Sequence, residues 1–241
     1  MRLAILSDIH GNSVALDACL SDLQMQGGAD VIVAAGDLCL DGPRPKKVID
    51  HLVEIGALAV RGNTDRYLAE PATQMRGIDL ERIEWTRAVL GERRLRWLND
   101  LPFSLRFGEA GNELLVVHAN PTNDDEHLWP DANDEMLERL IGDEPATAIA
   151  FGHLHLPYVR IWRNKLLVDV ASVGIPKDGD PRAGYALLTS RSGGWQVKHR
   201  RVVFDVKRVA RQIIDSAIPG GDELVATLRR HRYKKIVGIV P

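Results

Sequence analysis

Cysteine is almost absent from the 241-residue chain. Cys19 and Cys39 are the only two, too few for a disulfide scaffold or a cluster of metal-bound thiolates. Long apolar runs are missing as well. No stretch approaches the roughly 20 residues that span a bilayer, and the apolar run over residues 1–6 is too short for a signal peptide and lacks a cleavage site. A soluble protein of the reducing cytoplasm, with no membrane partner, is expected. Excess charge is also lacking: 31 Lys and Arg against 33 Asp and Glu leave a formal net charge of −2, which argues against bulk electrostatic binding of nucleic acid. No P-loop, GxGxxG, HExxH or CxxC motif occurs, so nucleoside-triphosphatase, dinucleotide and zinc-protease chemistry have no foothold. Internal repeats, low-complexity tracts and convincing linkers are missing too.

What is present is the length of one large domain or two small ones, with enough apolar mass, 45% of residues, to build a real core. Residues 2–6 (RLAIL) form a short continuous apolar run of the kind a buried strand shows, and the run stops at a polar cluster over residues 7–12 (SDIHGN). Leu16, Leu20 and Leu23 then recur at helical spacing, with Asn12 or Ser13 as N-cap and Gly27-Gly28 as the stop. The unit repeats: residues 31–35 run into Gly36-Asp37, residues 45–55 are helical, and residues 57–60 run into Arg61-Gly62-Asn63-Thr64-Asp65. Strands alternating with helices predict an α/β fold with a largely parallel sheet.

Residues 66–100 have helical periodicity and dense charge, with Trp85, Val89, Leu95 and Leu98 expected inward, and form a helical insertion closed by Pro102. Further apolar runs end at His118, at Gly152-His153-Leu154-His155 and at residues 171–174. Residues 185–189 and 195–203 are expected as late antiparallel strands, and residues 205–241 as a C-terminal helical extension. The acidic loop of Asp124, Asp125, Glu126, Asp131 and Asp134 is expected to stay hydrated, and the basic stretch 229–235 to be a charged helix face.

The polar residues share one position. Asp8 and His10, Asp37, Asn63 and Asp65, His118, and His153 and His155 each directly follow the C-terminal end of an apolar run. In open α/β sheets that edge is where ligand sites form. Carboxylates, four imidazoles and an amide oxygen make a sulfur-free donor set suited to Mn²⁺, Fe, Zn²⁺ or Ni²⁺, with more ligands than one ion can use. Asp37, alone after its strand, is the natural bridge between two divalent ions, and such a pair can hold a hydroxide for in-line displacement at phosphorus.

Asp8-Ile9-His10, Gly36-Asp37, Gly62-Asn63, His118 and Gly152-His153-Leu154-His155, in this order, resemble the motifs of the calcineurin-like metallophosphoesterases. The segments SDIHGN, GDLCLDGPRP, RGNTD and ASVGIPKDGDPRAGYALL are most similar to the small bacterial and archaeal phosphodiesterase branch. The resemblance implies a sandwich of two mixed β-sheets flanked by helices, in a single domain. It also implies a binuclear centre, with Mn²⁺ the first expectation, in which Asp8, His10, Asp37 and His155 hold one metal and Asp37, Asn63, His118 and His153 the other. Asp37, Asn63 and His118 are the residues expected to act on the reacting groups.

One departure stands out. The family asparagine is often followed by a histidine that protonates the leaving group, whereas this chain has Thr64. A hydroxyl cannot replace imidazole as a general acid near neutral pH. The departure favours hydrolysis of a small phosphodiester, such as a cyclic nucleotide, over a phosphomonoester, with His127 as a candidate proton donor. Asn12, Arg61 and Thr64 are the candidate substrate contacts, although Asn12 is equally an ordinary N-cap and Arg61 and Arg66 equally solvated loop arginines. Asp65 is either a partner that orients a ligand histidine or an exposed helix cap, and Asp169 either orients a histidine or is a satisfied loop carboxylate. The competing functions are a nuclease, which needs a basic track for the strand, and a non-catalytic interaction module. Self-association is compatible with either.

Overall fold

This computed structural model describes residues 1–71 and 75–232. The alternating pattern of the first sixty residues becomes β1 (Arg2–Leu6), α1 (Ser13–Met25), β2 (Val31–Ala35), α2 (Pro45–Glu54) and β3 (Leu58–Val60). Asn12 caps α1 by accepting the Ala15 amide at 3.0 Å. Pro45 opens α2 where a missing N–H removes no helical hydrogen bond. After α3 (Asn63–Ala69) and α4 (Gly77–Asn99) come β4 (Ser104–Phe107), β5 (Leu114–Val117), α5 (Asp134–Ile141), β6 (Ala148–Phe151), β7 (Tyr158–Trp162) and β8 (Lys165–Asp169). The chain continues through β9 (Ala183–Arg191), β10 (Gly194–Val202), α6 (Val206–Asp215) and α7 (Gly221–Arg230).

The strands form two five-stranded mixed sheets, ordered β10-β9-β1-β2-β3 and β4-β5-β6-β8-β7. β1, β2 and β3 are parallel, as are β5, β6 and β8, and the remaining strands pair antiparallel at the flanks. Side-chain alternation builds the layers. Leu3 and Ile5 of β1 join Val116, Ala150 and Val168 in a core between the sheets. Ala4 and Leu6 face a second core with α1, α2, α4, α6 and α7, while Ile149, Phe151 and Leu167 face α5. Helices therefore cover both outer faces, the sandwich the resemblance implies. None of the described helices is long and apolar enough to cross a membrane.

Several expectations change. The helical segment expected over 66–100 starts earlier, at Asn63, stops after Ala69, and is broken again at Gly91, whose φ of 70° is not helical; residues 72–74 of it lie outside the described residues. Trp85, Leu95 and Leu98 turn inward, but Val89 is exposed. The acidic loop is not simply hydrated: Asp124 is buried and takes Nε and Nη2 of Arg66 at 3.1 Å, and Asp134 opens α5. Of the basic stretch 229–235, α7 holds the first two residues, and 233–235 lie outside the described residues.

Candidate metal centre

The C-terminal ends of the parallel strands meet across the two sheets. His118, after β5, donates from Nδ1 to Ala35 O of β2 at 2.9 Å. The His153 amide, after β6, donates to Asp8 Oδ2, after β1, at 2.9 Å. The Val173 amide, after β8, donates to Ser7 O at 2.9 Å. Residues from distant parts of the chain are thereby gathered into two clusters, Asp8–His10–His155 and Asp37–His118–His153, whose donor atoms within each cluster lie within 4.8 Å of one another.

Each imidazole is oriented by a backbone carbonyl. His10 Nδ1 meets Leu40 O at 2.9 Å, His118 Nδ1 meets Ala35 O at 2.9 Å, His155 Nδ1 meets Ile175 O at 2.5 Å, and His153 Nε2 meets Asp125 O at 2.8 Å. A carbonyl only accepts, so in all four rings that nitrogen carries the hydrogen, and in the neutral ring the opposite nitrogen is a bare lone pair. Those lone pairs face each other. His10 Nε2 and His155 Nε2 are 3.4 Å apart, and His118 Nε2 is 3.1 Å from both His153 Nδ1 and Asn63 Oδ1. Acceptors crowded this closely repel one another unless a cation or proton lies between them. Asp8 Oδ1 adds to the case: it is buried, has no hydrogen-bond donor, and sits 3.1 Å from His155 Nε2. Oxygen and imidazole donors arranged in this way fit divalent cations.

Asp37 stands between the clusters, with Oδ2 3.8 Å from His10 Nε2 and Oδ1 3.4 Å from His118 Nε2. Its backbone and that of four other predicted ligands is left-handed: φ is 52° at Asp8, 47° at His10, 55° at Asp37, 69° at His153 and 60° at His155. Non-glycine residues adopt this region at a cost of about 1–3 kcal/mol each and persist there only where surrounding structure over-determines them. The determinants are visible. Asp65 is fully buried and accepts the amides of Asp37 (2.8 Å), Leu38 (3.0 Å) and Gly62 (3.0 Å). The Thr64 amide donates to Asp37 Oδ1 at 3.0 Å. Two motif glycines have a steric reason, because a Cβ on Gly62 would strike the Asp37 carboxylate and one on Gly152 would strike Ser7 Oγ and Asp8 Oδ2.

The field of the cluster sorts the protonation states. Burial pushes His153 down to about 3 and His155 to about 4, so both are neutral at pH 7. Burial opposes ionisation of Asp8, but His155, His118 and His10 outweigh it and hold that carboxyl below the usual range. His118 moves the other way: Asp37 and Asp8 outweigh its burial and raise it. Asp65 is pushed up to about 7 by burial and by the Asp37 charge.

The remaining sequence candidates are placed as follows. Asn12 is buried, with Oδ1 on the Ala15 amide and Nδ2 donating to Gly174 O at 3.1 Å, so it ties α1 to the loop after β8. Arg61 lies 3.8 Å from both Glu70 and Asp124, and Arg66 is paired with Asp124 and Asp125. Thr64 Oγ1 is buried without a hydrogen-bond partner. Asp65 orients no imidazole; it does cap α3, taking the Gly62 amide, but it is buried where an exposed cap was expected, and it also holds the Asp37 and Leu38 amides. Asp169 is buried, accepts the Ala171 amide at 2.8 Å, and burial raises it well above the usual carboxylate range; its backbone carbonyl, 2.7 Å from His199 Nε2, is the group that meets a histidine. His127 stands perpendicular to the His153 ring, with centroids 4.1 Å apart. Sequence reasoning missed the four carbonyls, because a backbone acceptor leaves no residue-type signal.

Known proteins resemble the chain in sequence and in fold. An uncharacterized protein of Methanocaldococcus jannaschii is 28% identical over 236 residues, covering 90% of this chain and 93% of that protein. A crystal structure of a metallophosphoesterase from Sphaerobacter thermophilus superposes with a TM-score of 0.76 at 25% identity, over 96% of this chain and 100% of that one. A hypothetical protein from Pyrococcus horikoshii shares the fold, with a TM-score of 0.85 at 22% identity over 95% and 98% of the two chains. The family model for the calcineurin-like phosphoesterase superfamily domain matches residues 1–193, and with the two carboxylate–imidazole clusters in place, the chain belongs to that superfamily.

Proposed function

We propose that the chain is a metal-dependent phosphodiesterase of the cytoplasm, acting as one catalytic unit on a small phosphodiester such as a cyclic nucleotide. The observation that carries this reading is the set of four imidazoles, each donating its outer N–H to a carbonyl so that the inner nitrogens converge on Asp8, Asp37 and Asn63. In this reading Asp8, His10, Asp37 and His155 hold one divalent ion, and Asp37, Asn63, His118 and His153 the other, with Mn²⁺ favoured and Fe, Zn²⁺ or Ni²⁺ as alternatives. Two such ions polarise phosphoryl oxygens and lower the pKa of a water toward neutrality.

The residues supply position. Asp65 and the Thr64 amide fix Asp37, and the four carbonyls fix the rings before substrate arrives, so no reorganisation is needed at the moment of reaction. Arg61 and Thr64 are the substrate contacts in this reading, whereas Asn12, expected to be a third, is buried with its amide spent on Ala15 and Gly174. The preference for diesters follows from Thr64, which offers no proton to a departing alkoxide. If a donor is supplied at all it is His127, next to His153, whose burial and the Lys177 charge hold it below the usual histidine range, and an unchanged pH–rate profile in His127→Ala would remove it from the mechanism. A non-catalytic module has little support, since every predicted ligand position is filled.

The test is a metal-stripped preparation reconstituted separately with Mn²⁺, Fe²⁺, Zn²⁺ and Ni²⁺ and assayed on bis-p-nitrophenyl phosphate and p-nitrophenyl phosphate. Turnover that needs added metal and favours the bis-ester is expected. Equal turnover before and after metal removal, or none with any metal, refutes the proposal.

A further inference from the structure

The two clusters are held differently. Asp8, His10 and His155 are all buried, and the two rings lean on Leu40 O and Ile175 O. In the second cluster His153 and Asn63 are half-buried, and the groups that orient them lie at the surface. Asp125, its side chain 51% exposed, reaches both ligands: its backbone carbonyl accepts from His153 Nε2 at 2.8 Å, and its Oδ1 accepts from the Tyr67 hydroxyl at 2.9 Å. Asn63 and Tyr67 are four apart on one face of α3, and Asn63 Nδ2 donates to the Tyr67 oxygen at 3.4 Å. Arg66 donates to Asp125 Oδ2 at 2.7 Å, which fixes the carboxylate at the end of this chain of hydrogen bonds.

A tyrosine hydroxyl has one hydrogen. With Asp125 taking it, the Tyr67 oxygen can only accept from Asn63, and it selects the NH₂ end of that amide. The oxygen end is thereby turned toward His118 Nε2, 3.1 Å away. Left to itself, the amide would choose the opposite orientation. Neutral His118, with its hydrogen on Nδ1, presents a lone pair at Nε2, and a half-turn of the Asn63 amide would aim its NH₂ at that lone pair and make a hydrogen bond. The flipped amide offers a cation no lone pair. We infer that Tyr67 and Asp125 are positioning residues that lock the Asn63 oxygen toward the ion of the second cluster, against the flip that His118 favours while no ion is bound. The inference rests on the binuclear reading of the centre and adds to it an order of dependence, since the ion at Asp37, Asn63, His118 and His153 relies on this surface chain of hydrogen bonds and the ion at Asp8, His10, Asp37 and His155 does not.

The test is calorimetric titration of the metal-stripped full chain with Mn²⁺ at pH 8. The wild type should take up two equivalents. Tyr67→Phe keeps the ring and removes the hydroxyl, so it should weaken one equivalent by about 10–100-fold, the usual cost of losing a group that orients a ligand, and leave the other unchanged. Asp125→Ala should do the same, and the double variant should bind no more weakly than Asp125→Ala alone, because both residues act through one chain of hydrogen bonds. In an Asn63→Asp background the lock has nothing to select, a carboxylate having oxygen at both ends, and adding Tyr67→Phe there should leave uptake as it was. Equal weakening of both equivalents, additive losses in the double variant, or the same loss in the Asn63→Asp background overturns the inference, since each marks general loosening or the bare charge of Asp125 in place of an amide orientation. Full retention of both equivalents by Tyr67→Phe overturns it as well and leaves the metal centre standing. A wild type that takes up fewer than two equivalents removes the binuclear reading itself.

Discussion

Replacing Asp65 tests the idea that the metal centre is built from the backbone upward. Its carboxylate accepts three buried amides, those of Asp37, Leu38 and Gly62, at 2.8–3.0 Å. Asp65→Ala orphans all three. A buried unsatisfied donor costs about 1–3 kcal/mol, and water entering the vacated volume recovers part of that, so a loss of about 3–5 kcal/mol is expected. Asp65→Asn should be milder, about 1–3 kcal/mol. Its amide oxygen can keep the two donors on Oδ2, but its NH₂ would face the Leu38 amide. An exposed helix cap would cost only about 1 kcal/mol, so the two roles separate cleanly. For a chain of this size each kcal/mol moves Tm by about 2–4 °C, which places the Ala variant roughly 6–20 °C below the wild type in circular-dichroism melts in chelator. Because Asp37 keeps its left-handed φ of 55° through these bonds, manganese titration calorimetry should also lose at least one equivalent. A melt within about 3 °C of wild type, or full manganese uptake with unchanged affinity, refutes the reasoning.

Asp37→Asn should lower turnover of bis-p-nitrophenyl phosphate by roughly two to four orders of magnitude, the several kcal/mol a metal clamp supplies, with an unchanged far-ultraviolet spectrum; near-normal turnover removes its bridging role. Thr64→His should raise monoesterase relative to diesterase activity, and an unchanged ratio means the absent imidazole does not set the preference. Metal uptake should release protons below neutrality. His118 is raised by Asp37 and Asp8, and Asp65 stands at about 7, so both are protonated at lower pH, and a cation favours the deprotonated forms. Manganese affinity should therefore climb as pH rises through 7. Calorimetry at pH 6 in two buffers of different ionisation enthalpy checks this, and identical heats overturn it.

The fold was legible where burial on both faces leaves a continuous apolar run. RLAIL, VIVAA and AIAF became β1, β2 and β6 within a residue or so of their sequence limits. Elements whose apolar residues face water were not. β7 (YVRIW) exposes Val159 and Ile161 to solvent, so its alternation has no hydrophobic face to detect. β4 is four residues with partial burial, too short for a period of two to register. α5 was hidden by acidity: Asp134 and Glu135 occupy its first turn, where they favour the helix dipole, and the same residues in sequence suggest a hydrated loop. The break in α4 at Gly91 was written as a single glycine within a helical pattern, which sequence reasoning tolerates at about 1 kcal/mol.

The site was legible for a different reason. A donor set needs side chains, and side chains are what a sequence spells; Asp8, His10, Asp37, Asn63, His118, His153 and His155 each follow a readable strand, so their meeting could be inferred from topology. What holds them in place is mostly backbone. The carbonyls of Ala35, Leu40, Asp125 and Ile175 set which nitrogen of each ring faces inward, and any residue type supplies a carbonyl. Asp65 falls between the two classes. Its carboxylate is a side chain, yet its partners are amides brought beneath it by the turn from Gly62 into α3, so its spacing in sequence looks the same as a helix cap. The positions most constrained by geometry are those where this chain shows a residue forced into left-handed backbone or a glycine pressed against a carboxylate. Substitutions there should fail by displacing ligands, even where no ligand is itself changed.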